Sequence, residues 1–288
     1  MPKLIFGCGY VGQRLAAHYS QKGSNIIGVV RSSASAEMLR GQGIGVLQAN
    51  LDLEQLPELP LQDASLFYFV PPPKLGETDT RVRRLIDGFQ RHGNPRRVVY
   101  LSTTGVYGDC NGEWVKEERP ANPTVSRAKR RWDAESCFQR WRANTGGELV
   151  VLRVAGIYGP GKLPLERLHK NLPLVRKEES PWTNRIHIDD LVQVCVAAME
   201  RGRSGEAYNV SDGSPGTMID YFNLIAELAD LPPPPAISLA QAEGQLSEGM
   251  LSYMRESRRV DNSKLRRELG VSLIYPSMES GLPACLSK

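Results

Sequence analysis

The chain has 288 residues, 41% of them hydrophobic and 24% charged, which is a globular composition and not a disordered one. A net charge of +4 is too small to argue for a nucleic-acid partner. No apolar run approaches the roughly 18 residues of a membrane-spanning helix, so no membrane partner is expected.

Short apolar runs at 4–6, 25–30, 44–47, 65–70, 97–101 and 149–154 read as buried strands. Between them, 10–22, 34–42, 78–93 and 125–143 read as helices. That alternation predicts an α/β fold: a doubly wound parallel sheet of the Rossmann type, with helices on both faces. Ligands of such sheets sit at the carboxyl ends of the strands. Past Val154 the pattern loosens. Residues 188–200 and 217–230 read as helices, 207–210 as a strand, and Pro232–Pro235 as a break that cannot lie inside a helix. The expected division is a dinucleotide domain at 1–155, completed by 187–211, and a smaller substrate lobe at 156–186 and 212–288. The N-terminus lacks a cleavage site and is interrupted by Gly7, Gly9, Gly12, Gln13 and Arg14, so it does not read as a signal peptide. Five cysteines, odd in number and far apart, read as reduced thiols of a cytoplasmic protein. Their spacing and the four scattered histidines offer no metal site.

Gly7-Cys8-Gly9-Tyr10-Val11-Gly12 follows the first strand and opens the first helix, the context that gives GxGxxG meaning. Gly7 suits a tight turn, Gly9 a close approach to a pyrophosphate, and Gly12 close helix–strand packing. The N–H groups of Tyr10 and Val11 begin a helix whose N-terminus suits phosphate. After the second strand, where an NAD site has an acid, stand Arg31 and Ser32. A cation there pairs with a 2′-phosphate, so NADP(H) is expected over NAD(H). Asp52, after the third strand, reads either as a neighbour of the adenine or as the cap of a following helix.

Five segments in order, GCGYVG (7–12), YLSTTGVYGD (100–109), LRVAGIYGPG (152–161), NRIHIDDLV (184–192) and YNVSDG (208–213), resemble the extended or atypical short-chain dehydrogenase/reductases of the NAD-dependent epimerase/dehydratase family. The resemblance implies a small-molecule substrate, such as a sugar nucleotide or another carbonyl or alcohol. It also implies oxidoreduction or epimerisation through transient oxidation, and a homodimer built through helices such as 78–93 and 125–143. In the family a Ser or Thr orients the substrate, and a YxxxK pair supplies the acid and holds the nicotinamide ribose. The Ser/Thr position falls at Thr103. The YxxxK position falls in 123–131 and holds no tyrosine. If Lys129 is the lysine, the tyrosine position is Val125. If Arg131 takes its place, that position is Arg127.

A valine cannot donate a proton. Tyr107, Tyr158 or His187 is then the substitute acid, or the reaction is one that needs no such tyrosine, or the protein binds the dinucleotide as a sensor without turnover. Lys129 remains a candidate for the ribose, and Arg185 and Trp182 for the substrate. Asp189 and Asp190 read as caps of the helix they begin.

Overall fold

The computed structural model describes residues 2–53, 55–246 and 248–286, with the side chain of Glu248 outside the description. The chain begins β1 (Lys3–Phe6), α1 (Tyr10–Gln21), β2 (Ile26–Val30), α2 (Ser33–Gly41), β3 (Gly45–Gln48), β4 (Ser65–Tyr68), α3 (Thr80–His92) and β5 (Arg97–Thr103). It continues through β6 (Trp114–Val115), α4 (Ser126–Thr145), β7 (Glu148–Val154), β8 (Gly156–Tyr158), α5 (Leu165–His169), β9 (Leu174–Val175), β10 (Arg185–His187), α6 (Ile188–Arg201) and β11 (Ala207–Val210).

Seven strands form one sheet in the order β11-β7-β5-β4-β1-β2-β3, every pair parallel. The expected doubly wound sheet is therefore present. The order reverses between β1 and β4, the switch point where a cleft opens at the carboxyl ends. One face is covered by α1, α2 and α6 through Val11, Leu15, Leu39, Leu191 and Cys195. The other is covered by α3 and α4 through Val82, Leu85, Phe89, Phe138 and Trp141. Burial on both faces is why the strands read as continuous apolar runs and not as alternating ones. The five cysteines are free and buried. No helix among the described residues is long and apolar enough to cross a membrane.

Local chemistry sets the ends of the elements. Asp79 caps α3 by accepting from the N–H groups of Arg81 and Val82. Gly146, in the left-handed conformation, ends α4. The β4 ladder stops at Tyr68 as the chain leaves toward Pro71–Pro73, which lack N–H donors.

The rest of the chain forms α7 (Met218–Leu228), β12 (Ala236–Ile237), α8 (Leu239–Ala242), α9 (Glu248–Met254), β13 (Arg259–Val260), α10 (Ser263–Leu269) and α11 (Met278–Leu286). Thr217 and Asp220 close a reciprocal capping box at the start of α7. The smaller core joins Tyr158, Leu168, Leu174, Phe222, Ile225 and Leu282. Sequence reading assigned all of 212–288 to the lobe. Leu265, Leu269 and Val271 instead pack into the larger core beside α6 and β11. The tail thus serves both halves.

Candidate active site

Two cavities meet in the cleft. The first, of about 660 Å3, runs from the loop after β1 along the ends of β2 and β3 and back to Leu101 and Arg131. The second, of about 560 Å3, is walled by Thr103, Arg127, Arg131, Trp182, Arg185, Tyr253 and others. Arg131 lines both.

The glycine loop shapes the first cavity. Gly7 has φ of +82°, and a Cβ there would come within 2.7 Å of the Val70 nitrogen. A Cβ on Gly12 would press on the Gly7 carbonyl at 3.0 Å and on Ile5 at 3.1 Å. A Cβ on Gly9 would meet nothing within 4 Å, so the loop leaves open space toward the start of α1. There the first-turn N–H groups have no intrahelical carbonyl to bond. Tyr10 also lines this cavity. Its hydroxyl donates to the Pro160 carbonyl at 3.0 Å, and the cations of Arg14 and Lys162 sit over its ring.

At the far end stand Arg31, Ser32, Ser35, Asp52 and Arg81. Ser32 caps α2 by accepting from the Ser35 N–H. Among the described residues no helix begins between Asp52 and β4, so its reading as a cap is corrected. Arg81 grips its carboxylate with two 2.7 Å hydrogen bonds, and those bonds hold its pKa below the usual carboxylate range. Arg31 lies 3.6 Å from the same carboxylate with an exposed side chain. Arg81 was not foreseen. It comes from α3, distant in sequence, and nothing local marks it.

In the second cavity, Thr103 accepts from the Gly105 N–H at 3.1 Å. Arg127 donates to the Ser252 hydroxyl at 2.6 Å. Arg131 donates to the carbonyls of Val70 and Leu101, at 3.3 and 3.1 Å. Arg258 pairs with buried Glu256 at 2.6 Å. Arg185 differs from these three. Its guanidinium lies over the Tyr221 ring, 3.8 Å from the centroid, and its buried Nε and Nη2 have no hydrogen-bond partner. Burial pulls its pKa below the ordinary value.

The structure separates other residues that the sequence grouped with the site. Lys129 lines neither cavity and pairs at the surface with Glu77 at 2.7 Å. Of the two registers, the one ending at Arg131 faces the cleft, with Arg127 in the tyrosine position. Tyr107 lines neither cavity. It is buried, donates to Asn209 at 2.7 Å and accepts from Arg153 at 3.0 Å. Burial pushes its pKa up to about 12. Tyr158 and His187 are also buried, with the Tyr158 hydroxyl on the Ser277 carbonyl and His187 Nδ1 capping α6. Arg81, Arg258, Glu256 and Tyr253 were missed, and the last three reach the cleft only through the fold of the tail. No cluster of three or more His, Cys, Asp or Glu fit to hold a metal occurs among the described residues.

The model of the NAD dependent epimerase/dehydratase family matches residues 78–211. A functionally unknown conserved protein from Silicibacter pomeroyi DSS is 36% identical, with a TM-score of 0.86 over 99% of this chain and 97% of that one. The chain belongs to the NAD dependent epimerase/dehydratase family. Protein YeeZ of Escherichia coli K12 is 27% identical over 94% of this chain and 95% of its own length. UDP-glucuronic acid 4-epimerase from Bacillus cereus, solved in complex with NAD, shares the fold at 16% identity. Its TM-score is 0.76, over 99% of this chain and 97% of its own. A nicotinamide dinucleotide is the cofactor class that goes with this family. The likenesses lend no support to a catalytically inactive sensor.

The first cavity fits that group. Its volume lies in the range of small-molecule sites, the gap at Gly9 admits a pyrophosphate beside the α1 N-terminus, and Arg131 stands where the two cavities join.

Proposed function

We propose that the protein is an NADP(H)-dependent oxidoreductase or epimerase acting on an anionic small molecule with a carbonyl or secondary alcohol, of the sugar-nucleotide kind. Gly7, Gly9, Gly12 and the N–H groups of Tyr10 and Val11 hold the pyrophosphate. Arg31, Ser32 and the N-terminus of α2 take the 2′-phosphate, while Arg81 keeps Asp52 neutralised beside them. Arg131 stands in for the family lysine at the nicotinamide ribose. Thr103 orients the reacting oxygen. Trp182, exposed at the rim of the second cavity, offers a flat face to the substrate. The bound nicotinamide supplies or accepts the hydride.

Arg185 carries the reading. A buried guanidinium with unmet N–H groups is costly unless an anion completes it. An anionic substrate does so in the ligand-bound state. The test is a panel of sugar nucleotides, sugar phosphates and keto acids beside neutral analogues, followed by nicotinamide absorbance. Turnover is expected for anionic members alone. Arg185→Met is expected to raise KM by about 10- to 100-fold, the size of a lost charged hydrogen bond. Equal turnover of neutral analogues would overturn the reading.

A further inference from the structure

We propose that Tyr253, carried by α9, supplies the phenol that α4 lacks. It gives its proton to the oxygen of the substrate carbonyl. This rests on the dinucleotide reading above and names the acid of that same site.

The argument begins with which phenols reach the cleft. Among the described residues, Tyr10 and Tyr253 are the tyrosines that line it. The Tyr10 hydroxyl is committed to the Pro160 carbonyl, beside the phosphate loop. Tyr253 is 50% exposed and lines the second cavity with Thr103 and Arg131. Glu256 is committed to Arg258 and Thr124, accepting from both.

Arg127 then decides the placement. It occupies the tyrosine position in the register that faces the cleft. Its guanidinium lies over the Tyr253 ring, 4.2 Å from the centroid, and donates to the neighbouring Ser252 hydroxyl. The residue that replaced the tyrosine on α4 therefore holds a tyrosine from the tail. Arginine stays charged at any working pH, so it stabilises the phenolate left after proton transfer, the part the family lysine plays.

The step balances. Hydride from a reduced nicotinamide dinucleotide reaches the carbonyl carbon, and the π pair of the C=O bond takes the phenolic proton. The products are the alcohol, the oxidised dinucleotide and a phenolate. The exposed half of the ring lets the phenolate recover a proton from water. Oxidation of an alcohol runs the same step backward.

A chain with 3-nitrotyrosine at 253 in place of Tyr253 tests this without a known substrate. NADP brings a cationic nicotinamide. If the phenol adjoins it, saturating NADP shifts the nitrophenol absorbance titration to lower pH by about one unit, as a unit charge within ~7 Å does near a surface. NADPH, which has the same phosphates and a neutral nicotinamide ring, gives no such shift. Arg127, Arg131, Arg185, Arg258 and Glu256 line the cavity in both arms, so the difference isolates the nicotinamide charge. Tyr253→Phe is expected to keep the melting temperature and the NADP affinity while turnover falls by about 100-fold or more. NADP that raises the melting temperature but leaves the titration unmoved would overturn this proposal alone. NADP that does not bind would overturn the dinucleotide reading and this proposal with it.

Discussion

Two arginines with buried N–H groups, Arg153 and Arg185, face opposite fates in this molecule. Arg153 on β7 is fully partnered: Glu135 takes its Nη2 at 2.9 Å, and the Tyr107 hydroxyl takes its Nη1 at 3.0 Å. Burial works against its charge, yet Glu135 and Tyr107 hold its pKa above the ordinary value. Arg185 on β10 has an aromatic face beneath it and buried N–H groups with no acceptor. The protein surrounds one guanidinium with acceptors and leaves two nitrogens of the other without any, in the wall of a cavity. The first holds structure together, and the second is held ready for something from outside.

The largest effect should come from treating the two alike. Arg153→Met strands the buried Glu135 carboxylate and should cost about 3–5 kcal/mol in urea unfolding. Arg185→Met breaks no side-chain hydrogen bond and takes only a counter-charge from buried Asp212, which protonates more readily in its place, so the urea midpoint should fall far less than for Arg153→Met. An equal loss from both would make Arg185 a structural residue and dissolve the contrast.

Asp212 sharpens the comparison next. It acts on Arg185 electrostatically without hydrogen-bonding it, and its own Oδ2 has no partner. Burial raises its carboxyl to about 7. The unfolded carboxyl ionises near pH ~4, so as pH rises the unfolded chain releases this proton first. The group's stabilising contribution is complete at low pH and is lost as pH rises from about 4 to about 7. Asp212→Asn should therefore gain on the parent by about 2–3 kcal/mol between pH 5 and 8. Parallel melting curves across that window would contradict it.

At the other end of the cleft, Arg31→Ala should weaken NADP(H) by about 10- to 100-fold and NAD(H) little, as loss of a charge-assisted contact to one phosphate. Calorimetric titration of both pairs checks this. The smallest effect belongs to Lys129→Ala. An exposed pair with Glu77 contributes about 0–1 kcal/mol, and dinucleotide affinity should not move. A large loss of affinity there would return Lys129 to the ribose in place of Arg131.

The sequence was most legible where one local rule acts alone. The glycine loop announces itself because Gly7 and Gly12 answer to contacts within a single β–α unit. The inner strands β1, β2, β4, β5 and β7 were readable because burial on both faces makes them plainly apolar. The second cavity was less legible. Lys129 and Arg131 are both cations in one helical run, and only the packing of α4 decides which faces the cleft. Tyr107 sits in a suggestive motif, yet Arg153 and Asn209, far along the chain, draw it into the interior. Tyr253 lies in a polar tail without strong periodicity and reaches the site by tertiary contact with Arg127. Long-range electrostatics of this kind leave no local trace.

The most direct measurement is a thermal titration of the purified protein with NADPH, NADP, NADH and NAD. A ligand that binds only the folded state must raise the melting temperature. The account predicts a clear rise with NADPH and NADP and a much smaller one with NADH and NAD, with the difference lost in Arg31→Ala. No rise with any of the four would contradict the reading of the cleft.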